Sequence, residues 1–278
     1  MADQPLLPLL IEPEALAPLL GSEQLLIIDV CSADNYKTHH IPGAIHIPPA
    51  ELQSGEKPAP GKIPDKRRLD ALFSAAGLKA GKHVVVYDDE GGGWAGRLIW
   101  TLDVLGHTQY SYINGGLHAW LASGLPVATE LPTCAASEFC GGWNESVIAE
   151  AVDVLDAIED DDQAIWDARS PQEYSGEKIV AKRGGHIPGA INIDWLELMD
   201  RNRQLRLVDL ERLQTRLNEL GLGKEKTVIT HCQTHHRSGL SYLVMKILGY
   251  PNIKGYHGSW SEWGNRPDTP IVTGSTPL

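Results

Sequence analysis

The sequence predicts an α/β protein made of two tandem domains of one fold, each a mostly parallel sheet with helices on both faces. Three observations lead there. The first is an internal repeat. Residues 84–106 and 227–249 align without a gap at an offset of 143, which sets Asp89 against Cys232, Gly96 against Gly239 and Gly106 against Gly249. The second is a repeated motif: His40-Ile41-Pro42-Gly43-Ala44 returns as His186-Ile187-Pro188-Gly189-Ala190, each preceded by an apolar run ending at Asp29 or Asp167. The third is alternation. Short apolar runs are separated by segments of helical periodicity, and strands joined through helices pair in parallel. A repeat of about 140 residues is far longer than a solenoid unit. It gives each copy enough chain for a core of its own.

In the first copy, strands are expected at 25–30, 44–47, 84–88 and 110–113, where β-branched and aliphatic residues cluster. A helix is expected with Pro64 near its first turn, a stripe of Leu69, Leu72, Phe73 and Ala76, and Gly77 past its end. Its counterpart carries Leu210, Leu213, Leu217 and Leu220 before Gly221. Trp120 and Trp263 close short helices in both copies and are core candidates. The longest difference between the copies is an insertion at 175–185, rich in Gly, Lys and Glu, which reads as a solvated loop. Residues 128–146, with Pro132, Gly141, Gly142 and little periodicity, read as a linker between a domain at 1–127 and a domain at 147–278.

Composition limits the functions open to such a chain. With 42% hydrophobic residues in 278, it is ordinary globular protein. A net charge of −12 repels phosphate backbones and argues against nucleic acid as a partner. No apolar run approaches a membrane span. Residues 1–10 lack a basic segment and contain Pro5 and Pro8, so they do not read as a secretory signal. Four cysteines in this length form no disulfide framework, Cys134 and Cys140 read as free thiols, and a reducing cytoplasm is expected.

Cys232 is the strongest candidate for chemistry. It follows the run Val228-Ile229-Thr230-His231 and precedes Gln233-Thr234-His235-His236-Arg237-Ser238 and a helix marked by Leu240, Leu243, Val244, Ile247, Leu248 and Gly249. A thiol facing the start of a helix meets backbone N–H groups and the positive end of the helix dipole. The thiolate is the nucleophile, and making a thiol mostly ionised near neutral pH takes a shift of about 2 units, roughly 2.7 kcal/mol. The polar residues on both sides of Cys232 argue against burial. In an acidic chain, His235, His236 and Arg237 concentrate positive charge beside it, which suits a small anion.

These residues resemble the rhodanese family of sulfurtransferases. Tyr36-x-x-x-His40-Ile-Pro-Gly-Ala44 is similar to one family signature, and Tyr256-His257-Gly258-Ser259-Trp260-Ser261-Glu262-Trp263 to another, with His257 where an acidic or small residue is commoner. The loop after Cys232 and the stretch Asp167-Ala-Arg-Ser-Pro-Gln-Glu-Tyr174 resemble tandem-domain bacterial rhodaneses of the Azotobacter type. The resemblance implies thiosulfate:cyanide sulfurtransferase activity through a persulfide on Cys232, with no cofactor and no metal. It also implies a catalytically silent first domain, and Asp89 stands there at the nucleophile's position.

On this reading Cys232 thiolate attacks the outer sulfur of thiosulfate, a small anionic sulfur donor, and sulfite leaves. Cyanide or a thiol then takes the sulfur, in two covalent steps. The alternatives of acceptor include a sulfur-accepting protein. The substrate-binding residues are Gln233, Thr234, His235, His236, Arg237 and Ser238, curled so that their N–H groups face the sulfur. Arg237 either binds the sulfonate or closes the loop, and Trp195 either walls the pocket or packs as an ordinary tryptophan. Neighbouring histidines in a curled loop diverge, so His235 and His236 are not read as metal ligands. Asp167 is expected to tie loop amides or pair with Arg169, and His40 and His186, present in both copies, to serve the fold.

Two features depart from many thiosulfate-using members. Gln233 and Thr234 replace Arg and Lys after the nucleophile, and Glu173 replaces an Arg before Tyr174. Both remove cationic anchors and leave another sulfane-sulfur donor open. 3-Mercaptopyruvate ranks second, because the Gly/Ser-rich run typical of that class is missing, and a protein persulfide carrier is the non-turnover alternative. A Cys-dependent phosphatase is the rival class. Its His-Cys-x5-Arg motif is one residue longer than the loop from Cys232 to Arg237, and no Asp general acid is evident. A monomer is expected.

Overall fold

A computed structural model describes residues 5–277. Residues 1–4 of the segment read as lacking a secretory signal lie outside the described residues, as does residue 278. The chain forms two compact units. The first comprises the chain up to Leu52, Pro64–Trp143 and Met199–Leu207, and the second Gln53–Ile63, Asn144–Leu198 and the chain from Val208 onward.

Each unit holds a five-stranded, all-parallel sheet. In the first, the order across the sheet is Leu10–Ile11, Tyr110–Ile113, His83–Tyr87, Leu25–Asp29, Ile45–His46. In the second it is Ile148–Ala149, Ile253–Tyr256, Thr227–His231, Gln163–Asp167, Ile191–Asn192. The two orders are the same, position for position. Strands buried on both faces read as unbroken apolar runs, and Val84, Val85, Val86, Val228 and Ile229 are all fully buried. A short antiparallel pair, Met199–Asp200 with Arg206–Leu207, completes the first unit, where the Leu207 N–H donates to Asn114 Oδ1 at 2.8 Å.

The helices follow the apolar stripes, with one correction. The first expected helix spans Lys66–Ala75 and is capped by Asp65, whose carboxylate accepts from the Arg68 N–H at 2.9 Å. Pro64 lies immediately before the cap, next to the first turn. Its counterpart, Leu210–Glu219, buries Leu213 and Leu217, but Leu220 is 41% exposed. Leu220 is the C-cap residue, where the chain turns away through Gly221 at φ +86° and the helical stripe ends. Residues 134–142 are bonded along the first unit: the Ser137 N–H donates to Ser74 O at 2.9 Å, and the Gly142 N–H to Leu105 O at 2.7 Å.

The repeated Tyr…His-Ile-Pro-Gly-Ala motif is a structural lock. Tyr36 Oη donates to Ala44 O at 2.8 Å, and Tyr174 Oη to Ala190 O at 2.6 Å. His40 and His186 stack on those tyrosines, at ring centroids of 4.3 and 3.7 Å. Each histidine Nδ1 is bonded to the tyrosine's own carbonyl. Trp120 and Trp263 are fully buried.

Beneath the second sheet's carboxyl edge lies a buried ion pair. The Arg169 guanidinium donates to Asp167 at 2.6–3.0 Å through Nε and Nη2, and stacks over the Trp260 ring at 4.2 Å. Both side chains are excluded from solvent. Burial pushes the Asp167 carboxyl up, but Arg169 and His231 more than offset this and hold it below the usual range. Removing one partner of such a pair strands a buried charge. Arg169→Met is expected to lower unfolding stability by about 3 to 5 kcal/mol near neutral pH, read from the urea midpoint. An unchanged midpoint would contradict the pairing.

Candidate functional site

The site is built at the end of the central strand of the second sheet. Thr227–His231 pairs in parallel on both sides, and Cys232 is the first residue beyond it. In open α/β sheets this carboxyl edge is where ligands bind. The helix Arg237–Ile247 starts five residues after Cys232, so residues 232–236 must reverse the chain tightly. The turn is made at His235, whose φ of +55° is a left-handed conformation rare for a residue with a side chain. The short helix Ser259–Trp263 clasps the loop from beyond. The Trp260 N–H donates to Cys232 O at 2.9 Å, the Ser261 N–H to Gln233 O at 3.0 Å, and the Cys232 N–H to Ser259 Oγ at 3.3 Å. This is the work of the motif at 256–263.

Cys232 is 1% exposed, contrary to the expectation that its polar neighbours keep it open. The Ser238 backbone N–H is turned toward the thiol, and the 259–263 helix is bonded to the backbone of Cys232 and Gln233. Burial pushes the thiol's pKa up. Against this act the Arg237 charge, the Ser238 N–H and hydroxyl, and His236, and together they bring it below the value of a free cysteine. The Ser238 hydroxyl is itself oriented by His235, with Nδ1 at 2.8 Å from Oγ. Gln233, Thr234, His236 and Arg237 are half-buried and form the rim.

Glu173 fixes Arg237. Its two carboxylate oxygens accept from Nη1 at 2.7 Å and Nη2 at 3.0 Å, a bidentate pair. Burial raises Glu173, but the bonds from Arg237 outweigh it and keep the carboxyl below its usual range. The residue that reads in sequence as a lost cationic anchor is therefore the partner of the remaining one. Its signal was Ser170-x-x-Glu173, a capping box that closes in the structure around the helix Pro171–Ser175.

The other candidates fall as follows. Trp195 is half-buried with its ring 5.6 Å from His236, so it stands at the rim and not in the core. His235 bonds to Ser238 while His236 faces Trp195, and the two rings have different partners. His231, immediately before Cys232, is pushed by burial down to about 4, despite Asp167 lying 3.5 Å from its Nε2, and is neutral near pH 7. Gln233 Nε2 donates to Val180 O at 3.3 Å, which brings the inserted loop at 175–185 against the rim. Cys134 and Cys140 are free and exposed.

The first unit has the same loop with a different occupant. Asp89 aligns with Cys232 in sequence, but its carboxylate turns away and accepts from the Ser32 N–H and Oγ–H, both at 3.2 Å. Asp88 fills the loop instead. Its carboxylate accepts from the N–H groups of Glu90 at 3.2 Å, Gly91 at 3.1 Å, Gly92 at 2.8 Å and Ala95 at 3.1 Å. Ala95 is the counterpart of Ser238. Burial and the neighbouring Glu90 push Asp88 up to about 6 even so. The amides in this unit are already satisfied, and a thiol placed at position 89 would face two acidic neighbours. The double variant Asp89→Cys/Cys232→Ala is therefore expected to gain no sulfur on treatment with thiosulfate, by intact mass. A persulfide at position 89 would show that the side chain there is all that separates the units.

The chain matches the Rhodanese-like domain family twice, over residues 12–123 and 150–266. It is 50% identical to a thiosulfate sulfurtransferase of Azotobacter vinelandii, over 98% of this chain and 99% of that protein. It is also 50% identical to a thiosulfate sulfurtransferase of Pseudomonas aeruginosa, over 95% and 97%. A sulfur carrier protein of Thermus thermophilus is 34% identical over 86% and 87%. A strand–loop–helix repeated in both halves, and an alignment spanning almost the whole chain at 50% identity, together establish that this chain belongs to the rhodanese family, with the domain present in two copies.

Proposed function

We propose that the protein is a thiosulfate sulfurtransferase in which Cys232 is the nucleophile. The observation that carries this is a buried cysteine whose surroundings favour its ionised form: Arg237 held by Glu173, and Ser238 offering both N–H and O–H. A thiolate excluded from bulk water attacks sulfur without first shedding a full hydration shell. Its sulfur bonds to the outer sulfur of thiosulfate, the S–S bond of thiosulfate breaks, and sulfite leaves with the electron pair. The negative charge then rests on the outer sulfur of the persulfide, which the same donors stabilise. Cyanide carbon attacks that outer sulfur, the persulfide bond breaks, thiocyanate departs, and the Cys232 thiolate is restored.

Gln233, Thr234 and His236 line the way in with Trp195, and Arg237 serves as the fixed positive charge that keeps the cradle closed. The anionic donor meets this charge from the rim. The likeness to full-length thiosulfate sulfurtransferases supports thiosulfate as donor. The likeness to a sulfur carrier protein favours a second reading of the acceptor step, in which a protein thiol takes the sulfur in place of cyanide. The remaining expectations stand as part of this proposal. Every group named around Cys232 belongs to its own unit, which is consistent with a working monomer. Four free cysteines suit a reducing cytoplasm. Among the described residues, no helix is long and apolar enough to cross a membrane.

Intact mass after thiosulfate treatment tests the reading. A gain of about 32 Da is expected, lost on adding cyanide and absent in Cys232→Ala. A protein that turns over thiosulfate with no adduct, or that keeps its activity as Cys232→Ala, would contradict it.

A further inference from the structure

We infer that residues 53–63, which lie in the first half of the sequence, form a strap that positions the Cys232 loop, and that Gly61 is the positioning residue in it. This rests on the reading of Cys232 as nucleophile.

The segment is part of the second unit, and it meets the loop at Thr234. Gly61 is buried, and a Cβ there would stand 2.3 Å from Thr234 O and 2.7 Å from both Thr234 C and Cα. All three are backbone atoms and cannot swing aside as a side-chain end does. Gly61 is not in the left-handed region, so the glycine is required by space and not by torsion. Thr234 is two residues past the nucleophile and directly before His235, the residue whose left-handed φ turns the loop. The Thr234 carbonyl also accepts from Gln53 Nε2 at 3.4 Å, from the other end of the strap.

The strap is pinned to the elements that hold the loop from beyond. Lys62 Nζ pairs with Glu150 and with Glu262, each at 3.0 Å. Glu262 belongs to the helix whose amides hold the carbonyls of Cys232 and Gln233. The Ile63 N–H donates to His257 Nδ1 at 3.0 Å, and His257 Nε2 lies 2.9 Å from Glu150. With Nδ1 accepting, Nε2 carries the proton and donates to Glu150. This gives His257, where the family more often has an acidic or small residue, a reason to be there: it reads the strap's backbone. The loop is thus held at Cys232 and Gln233 by helix Ser259–Trp263 and met at Thr234 by Gly61. A side chain at 61 drives Thr234 away from the strap and alters the cradle around the sulfur. Displacements on the order of 1 Å at a reacting group are enough to cost about 10²-fold in rate.

The test compares full-length wild type, Gly61→Ala and the control Glu56→Ala, an exposed position in the same segment. It measures far-UV circular dichroism, the pH dependence of Cys232 alkylation, and sulfur transfer from thiosulfate to cyanide. Gly61→Ala is expected to remain folded, to shift the alkylation midpoint upward by about 1 unit, and to lose about 10²-fold in kcat, with Glu56→Ala unchanged. Alkylation and kcat both within two-fold of wild type would overturn the inference. If Gly61→Ala does not fold, Gln53→Leu/Lys62→Met unpins the strap without adding bulk. It is expected to move the midpoint in the same direction, and an unmoved midpoint would overturn the inference. Alkylation reports on the cradle whether or not sulfur is transferred. A wild-type protein that forms no adduct at Cys232 would instead sink the reading on which the strap rests.

Discussion

The balance between burying the Cys232 sulfur at the end of a central strand and the charge and donors that lower its pKa is the constraint around which the second unit is arranged. A helix beginning there leaves amides without intrahelical partners and the positive end of its dipole exposed. An anion satisfies both. On the proposed reading the ionised Cys232 sulfur is that anion; burial works against its ionisation, so the surroundings must supply more than the helix alone. Arg237 supplies a fixed charge and Ser238 two donors. Arg237 is itself half-buried and is kept in place by Glu173. The order of dependence runs from Ser170 through Glu173 to Arg237 and on to the sulfur.

The two units answer the same problem in two ways. In the first, the carboxylate of Asp88 takes the amides at the head of helix Gly93–Val104, and the site is closed by the protein's own side chain. In the second, the equivalent strand-end residue is His231, neutral and pointed toward Asp167, and the anion moves one residue along to Cys232. A shift of one position in which residue faces the loop separates a cradle filled by a carboxylate from one that, on the proposed reading, holds a reactive thiol. Cys31 reinforces the contrast. It aligns with Arg169, and burial together with Asp29, Asp89 and Asp88 keeps its thiol strongly protonated. Where the second unit has a buried cation under the sheet edge, the first has an inert thiol.

Much of this was legible in the chain. The repeat fixes two copies of one topology, the apolar runs place four of the first sheet's five strands to within a residue or two and leave out Leu10–Ile11, and the Cys232 loop announces itself by its charge and position. Pairings that close over long sequence distances were not legible. Glu173 meets Arg237 across 64 residues, and Gly61 meets Thr234 across 173, distances at which no periodicity operates. The burial of Cys232 is hidden from the sequence for a related reason. Polar residues flank it, yet what faces the sulfur is partly their backbone, and composition does not say which way a backbone points. The orientation of Asp88 over Asp89 was hidden likewise, since a gap-free register aligns Cα atoms and not side chains.

The claim on which the rest depends is that Cys232 is ionised while buried. The direct measurement is the ultraviolet absorbance of its thiolate as a function of pH, taken as wild type minus Cys232→Ala, with Arg237→Met alongside. The account predicts a wild-type midpoint below the free-cysteine value of about 8.5, with the thiolate lost as pH falls through it, and a midpoint raised by about 1 to 3 units in Arg237→Met. A wild-type midpoint above that of a free cysteine, unmoved by Arg237→Met, would contradict it.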